Sequence, residues 1–283
     1  VAILTGSKNA LKGVGFFLGG LLLTLLDFQM ALRLLVVLVG STLILAAVLM
    51  RGGLGQANRK AKFGQMFSRN AAVNKLAAAR IFLFGARDVW FVVGLPVFLS
   101  SVLGWNFWQS GGFLAVWVIG YGIVQAATPG LLRSRVEGQH EPDGRTATIL
   151  AFVLAALPAG IALGLRADLA PSTVVVVGLI IFGAIFALNS AVHSYLILAY
   201  TDSDKVAMNV GFYYMANAAG RLAGTVLSGA LYQWGAQSGP NGGLIACLWA
   251  STACVLVAGL LSLLLPRHSG PRSKPIRLGD LGD

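Results

Sequence analysis

Eight long apolar stretches, near residues 5–27, 31–50, 78–101, 106–128, 147–165, 172–199, 206–234 and 242–265, set the strongest constraint on what this chain can fold into. A helix crosses the roughly 30 Å hydrocarbon core of a bilayer with about 20 predominantly apolar residues. The stretches are too long for the roughly ten-residue alternating strands of an outer-membrane barrel and are apolar on every face. Because lipid offers no partner to open backbone groups, helices remain. The expected fold class is therefore all-α, a polytopic membrane protein with eight transmembrane helices. Composition agrees, with 57% hydrophobic residues and only 11% charged, where soluble domains run near a quarter charged.

The formal net charge is +11. A nucleic-acid partner would require basic residues gathered on one exposed face, whereas most of these lie between the apolar stretches. Arg51, Arg59, Lys60, Lys62, Arg69, Lys75, Arg133, Arg135, Arg145, Lys205, Arg267, Arg272, Lys274 and Arg277 fall on one side, and Arg33 and Arg166 on the other. The positive-inside rule then predicts a cytoplasmic position for 51–77, 129–146, 201–205 and the tail.

The longest polar stretch, 51–77, divides two helices from six, as a central connection divides transporters built from two six-helix bundles. On that pattern residues 1–50 are the last two helices of an N-terminal bundle, 51–77 a cytoplasmic linker, 78–265 a six-helix C-terminal bundle and 266–283 a cytoplasmic tail. The chain opens at Val1 rather than at methionine, so the same pattern predicts four further helices upstream, twelve in all. A complete eight-helix protein with an unusual split is the alternative.

Lys8, Lys12, Arg80, Arg87, Arg221 and Asp88 fall inside the apolar stretches. A charge at the bilayer centre costs roughly 2.5–3.5 kcal/mol on insertion scales, so such residues usually face a cavity or a partner. Counting back from Asp27 places Lys8 at the inner interface, where it can snorkel, and Lys12 one turn deeper. Gly15 and Gly19 then predict a closely packed, buried surface around Lys12. Arg80, near the cytoplasmic end of its helix, reads as an interface anchor. Arg87 and Asp88 sit near mid-depth but point about 100° apart, so each is expected to need a partner other than its neighbour. Arg221 lies beside the Gly220/Gly224 pair, a GxxxG spacing that lets helices approach closely. Lys12, Arg87 and Arg221 are the candidate substrate-binding residues; the alternative is a structural role, as an ion pair with a neighbouring helix for Arg87 and Asp88 and as a bridge to another helix or a carbonyl for Arg221. Arginine's planar fork holds two oxyanion oxygens at once, which favours a small multivalent anion as cargo.

Asn189, Ser190, His193 and Ser194 form a polar stripe on one helix. With Asp88, His193 is a candidate proton carrier; a histidine satisfied by interhelical hydrogen bonds is the alternative reading. Cys247 and Cys254 stand two helical turns apart, too far to bridge, and read as packing residues. No histidine, cysteine or carboxylate set has metal-ligand spacing, and no GxxxxGK[ST] loop suggests an ATP-driven pump. Neither a metal nor another cofactor is expected.

Three segments carry a resemblance: Thr5-Gly-Ser-Lys-Asn-Ala-Leu-Lys-Gly-Val-Gly-Phe-Phe-Leu-Gly19, Gly85-Ala-Arg-Asp-Val-Trp-Phe-Val-Val-Gly-Leu-Pro96 and Gly211-Phe-Tyr-Tyr-Met-Ala-Asn-Ala-Ala-Gly-Arg-Leu-Ala-Gly224. Together they resemble the organoarsenical efflux permeases of the major facilitator superfamily, the ArsJ family. The resemblance implies a major facilitator fold in the bacterial inner (plasma) membrane. It also implies export of 1-arseno-3-phosphoglycerate, made when a partner glyceraldehyde-3-phosphate dehydrogenase uses arsenate in place of phosphate. Export would proceed by alternating access, driven by proton exchange. The alternatives are a permease of the same fold for another organic phosphate, a drug or a sugar, an integral membrane enzyme, and a channel. An enzyme should present clustered carboxylates, histidines or a nucleophile near an interface, and one clear intramembrane acid with one histidine argues against it.

Overall fold

In the computed structural model the described residues are 2–49, 70–134, 142–201 and 206–267, with the side chains of 2–10, 129–134 and 207 outside the description. Arg51, Arg59, Lys60, Lys62, Arg69, Arg135, Lys205, Arg272, Lys274 and Arg277, with the side chains of Lys8 and Arg133, thus lie outside the described residues.

Among the described residues the regular structure is helical throughout: α1 (Ala2–Leu25), α2 (Phe28–Leu49), α3 (Ala71–Phe91), α4 (Gly94–Ser101), α5 (Phe107–Ser134), α6 (Gly144–Arg166), α7 (Pro171–Ala199), α8 (Val206–Gly235) and α9 (Gly242–Ser262). The predicted stretches reappear with shifted ends; α3 begins at Ala71 rather than 78, started by the Asn70 side chain, which accepts from Ala72 N at 2.9 Å. An N-cap of this kind satisfies one of the otherwise unpaired first-turn donors.

Six of the spans are long and apolar enough to cross a membrane: Phe28–Leu49, Ala71–Ser101, Phe107–Thr128, Gly144–Arg166, Pro171–Ala199 and Gly242–Ser262. The chain is an all-helical, multi-pass membrane protein. Of the two remaining expected spans, α8 falls short of that apolarity, and in α1, whose side chains are described only from Leu11, Leu11–Leu25 is a shorter apolar helix. In α8 the reason is local, since it carries Asn209, Asn217, Arg221 and Ser228.

Helix α3 sits at the centre, packed on α8 and α9, while α9 continues to α6, α6 to α7, α7 to α5, and α5 to α1. Gly220 and Gly224 face the α3 backbone as the GxxxG spacing predicts: a Cβ on Gly224 would stand 2.6 Å from Gly85 O, and one on Gly220 would collide with Ile81 O. On the α1–α5 contact the packing glycines differ from those expected. A Cβ on Gly20 would lie 2.7 Å from Phe107 O, whereas Gly15 and Gly19 face open space. An aromatic core fills the middle, with Trp90 edge-on to Trp117 at 5.7 Å and to Phe182 at 5.2 Å. Trp117 Nε1 donates to Leu179 O at 2.7 Å, so the buried indole is satisfied. Helix α2 differs from the rest, burying only Ala31 and exposing apolar side chains on its other faces.

One end of the bundle is tied across helices. Pro266 O accepts from Gly144 N and from Tyr200 Oη, each at 3.1 Å, and Asn70 Nδ2 donates to Tyr200 O at 2.7 Å. Burial, and then the charge of Asp143, push the Tyr200 phenol up to about 12, which keeps it a donor.

The span Ala71–Ser101 is broken at Val92–Val93. Pro96 has no N–H to return to the carbonyl of Val92, four residues earlier. The amides freed on the other side of the break, Val93 N and Gly94 N, both donate to Ser228 Oγ of α8, at 3.3 and 3.0 Å.

Candidate functional site: a charged cleft between α1, α3, α5 and α8

A cleft of about 460 Å³ opens between these four helices, and Lys12, Arg87, Asp88 and Arg221 all line it. Four of the five candidate residues are thus brought together by segments far apart in sequence. Phe91, Trp117 and Tyr121 form an aromatic wall, and Val92 and Pro96 bring the helix break to the same surface.

Asp88, only 1% exposed, is the hub. Arg221 Nε donates to Asp88 Oδ2 at 2.8 Å, and Arg87 Nε to Asp88 Oδ1 at 2.6 Å. The first contact is the interhelical partner that the buried charge requires. The second corrects the expectation that Arg87 and Asp88 do not pair: the 100° offset separates their Cβ atoms, but the long arginine stem spans the gap. Each guanidinium thus takes one oxygen of the same carboxylate, and the Arg–Asp–Arg clasp bridges α3 to α8.

The guanidinium of Arg87 also lies over Phe84 at 5.1 Å and Phe186 at 5.5 Å. These faces attract a cation without neutralising it. Its side chain is 11% exposed and that of Arg221 is 44% exposed, so the second arginine reaches furthest into the open space. With Lys12 exposed on the α1 side, the lining holds three cations against one carboxylate.

His193 does not join them. It is 1% exposed on α7, and its neighbour is Arg80, with which it interacts electrostatically. The stripe that singled it out exists, since Ser194 Oγ donates to Ser190 O at 2.9 Å, but none of its members lines the cleft. Arg80 is a second correction. It is 4% exposed, not an interface anchor, and donates from Nη1 to Ser190 O at 3.2 Å. Its guanidinium lies 3.9 Å above the Phe84 ring and 4.7 Å from that of Tyr213. Its distance from the helix end suggested snorkelling; its place two turns from Arg87 on the same face of α3 was the signal for burial. The helix break and its Ser228 cap also escaped the sequence reading, although Pro96 marked the position.

Cys247 and Cys254 are free thiols, and Cys247 Sγ donates to Ser228 O at 3.5 Å within the core. Among the described residues no three histidine, cysteine or acidic side chains are grouped to hold a metal ion.

Fold and cleft together define a class: an all-helical, multi-pass membrane protein with an arginine-rich cleft between its helices. No protein-family model matches the chain, and no curated protein matches it at a significant level.

Proposed function

We propose that this chain is a secondary transporter of the major facilitator type that exports an organic oxyanion through the α1/α3/α5/α8 cleft. The observation that carries this reading is the clasp itself, two arginines held by one buried carboxylate with Lys12 on the facing wall. Guanidinium groups aimed into a cleft of drug-like volume suit a ligand with several anionic oxygens. In the empty cleft Asp88 occupies both forks. An arriving oxyanion offers more oxygens than one carboxylate and exchanges for it, and Asp88 binds a proton as it gives up the arginines. Cargo and the Asp88 carboxylate then compete for the same two cations, so occupancy of the cleft and protonation of Asp88 are coupled. His193, outside the cleft, has no part in this step.

The cargo we favour is 1-arseno-3-phosphoglycerate, supplied by a glyceraldehyde-3-phosphate dehydrogenase. This identity rests on the resemblance of the Lys12, Arg87 and Arg221 segments to the ArsJ permeases, and the charge of the cleft supports it only as far as an organic oxyanion. Residues 78–265 would form one bundle of the two that rock about the cleft. The linker and the tail face the cytoplasm of a bacterial inner membrane in this reading.

The test is arsenic retention in arsenic-sensitive bacteria expressing the protein, with and without the dehydrogenase, beside Arg87→Ala and Arg221→Ala at equal membrane abundance. Dehydrogenase-dependent loss of cell arsenic, abolished by either substitution, is the expected result. Unchanged arsenic in the unsubstituted protein would remove the arsenical cargo; full export by both variants would remove the cleft assignment.

A further inference from the structure

Arg80 has no carboxylate partner among the described residues, and buried polar atoms on α3 and on α7 and α8, which pack against it, are unsatisfied. Its Nε, both side-chain atoms of Asn189, Nδ1 of His193 and Oδ1 of Asn217 are buried without a hydrogen-bond partner among the described residues. These residues come from three helices that meet, α3, α7 and α8. Buried polar atoms are almost always paired, so a cluster of unpaired ones around a cation marks room for something that is not protein. Donors (Arg80 Nε, Asn189 Nδ2) and acceptors (Asn189 Oδ1, Asn217 Oδ1) are both present. A bare halide would serve only the first kind; a protonated oxyanion such as hydrogen phosphate serves both.

Hydrogen bonds link the surroundings of Arg80 to the cleft. Tyr121 lines the cleft and its Oη donates to Ser190 Oγ at 3.4 Å, while the Ser190 carbonyl accepts from Arg80. Arg80 and Arg87 face the same Phe84 ring, at 3.9 and 5.1 Å, and seven residues of helix separate them by about 10 Å. On α8, Tyr213, Asn217 and Arg221 repeat every fourth position, so a polar file runs along the α3–α8 seam from one arginine level to the next.

We propose that the Arg80 chamber, with Asn189, His193 and Asn217, is a second oxyanion site, a station nearer the Asn70 end of the bundle that the cargo's anionic group occupies before or after the Arg87/Arg221 clasp. This rests on the reading of the protein as an oxyanion transporter, and the experiment separates the two.

The measurement is equilibrium binding of radiolabelled inorganic phosphate to the purified full chain in lipid nanodiscs, with Arg80→Gln, Asn189→Leu and the double variant Arg87→Gln/Arg221→Gln. The expected result is two phosphates per chain, one lost in Arg80→Gln and the other in the double variant. Should Arg80→Gln fail to fold, Asn189→Leu decides, because it keeps the buried charge. Losing a hydrogen bond to a charged ligand should weaken the chamber site about ten- to a hundredfold. One phosphate per chain, kept by Arg80→Gln and Asn189→Leu with unchanged affinity, overturns the chamber and leaves the cleft. Two phosphates with one lost in Arg80→Gln but none in the double variant overturns the cleft and keeps the chamber. No phosphate bound by the unsubstituted chain overturns both.

Discussion

The protein holds two arginine centres on the same helix, two turns apart, and solves the problem of a buried cation differently at each. At the clasp, Arg87 shares Asp88 with Arg221, and the charge is met by charge. At the other, Arg80 is met by a carbonyl and two aromatic faces. Ring faces and carbonyls hold a guanidinium in place yet leave it able to accept an anion, whereas a carboxylate occupies the position an anion would take. The two centres therefore differ in what already holds the cation: a carboxylate at one, a carbonyl and ring faces at the other.

Substitutions along the α3–α8 seam turn this contrast into measurements. The largest effect is expected from Asp88→Asn, which strands two guanidinium groups at once. Removing one member of a buried charge pair costs about 3–5 kcal/mol, and the 44% exposure of Arg221 draws the expectation toward the lower end, about 3 kcal/mol. Thermal unfolding in detergent should show a clear loss for Asp88→Asn and none for Asp88→Glu if the clasp is the main tie. An unchanged melting temperature in Asp88→Asn would mean that the arginines are already hydrated. Gly220→Val comes next, because the α3 backbone at Ile81 leaves no space for a side chain; overpacking costs typically about 1–3 kcal/mol. Loss of detergent-resistant folding checks it, with Gly229→Val as the control at a position facing open space.

Ser228→Ala leaves Val93 N and Gly94 N without their acceptor, at about 1–3 kcal/mol for a buried unsatisfied donor. Amide hydrogen exchange localised to those two residues, in an otherwise protected α3, is the expected sign. The smallest effect belongs to Tyr121→Phe. It removes only a long hydrogen bond, so stability should change by about 1 kcal/mol or less. Binding at both centres should survive while transfer between them slows; slowed transport with unaltered phosphate binding is the outcome that sharpens the comparison.

How legible was this in the sequence? The helices were, because lipid imposes a single requirement, apolar length, that can be counted along the chain, and each predicted stretch coincides with a helix or, at the Pro96 break, with two. What apolar length could not show was which helices would be least apolar and why. Helix α8, which falls short as a span, contributes a cation to the cleft, as does α1. The cleft residues were found because intramembrane charge is costly and therefore conspicuous. Their pairing was not, since it depends on how far an arginine stem reaches, and helical wheels place Cβ atoms rather than guanidinium groups. Arg80 was misplaced for a related reason: depth along a helix is readable from sequence, whereas the direction a residue faces depends on which helices surround it.

The glycine contact between α3 and α8 has one more consequence. With backbone resting nearly on backbone at Gly85, Gly220 and Gly224, there are no intervening rotamers to re-sort, and the two helices keep a set spacing. Arg87 and Arg221 then act as the jaws of a caliper locked at one opening. On the proposed transport reading, such a gauge would select by span: two anionic groups on one molecule either match the gap between the jaws or leave one jaw empty.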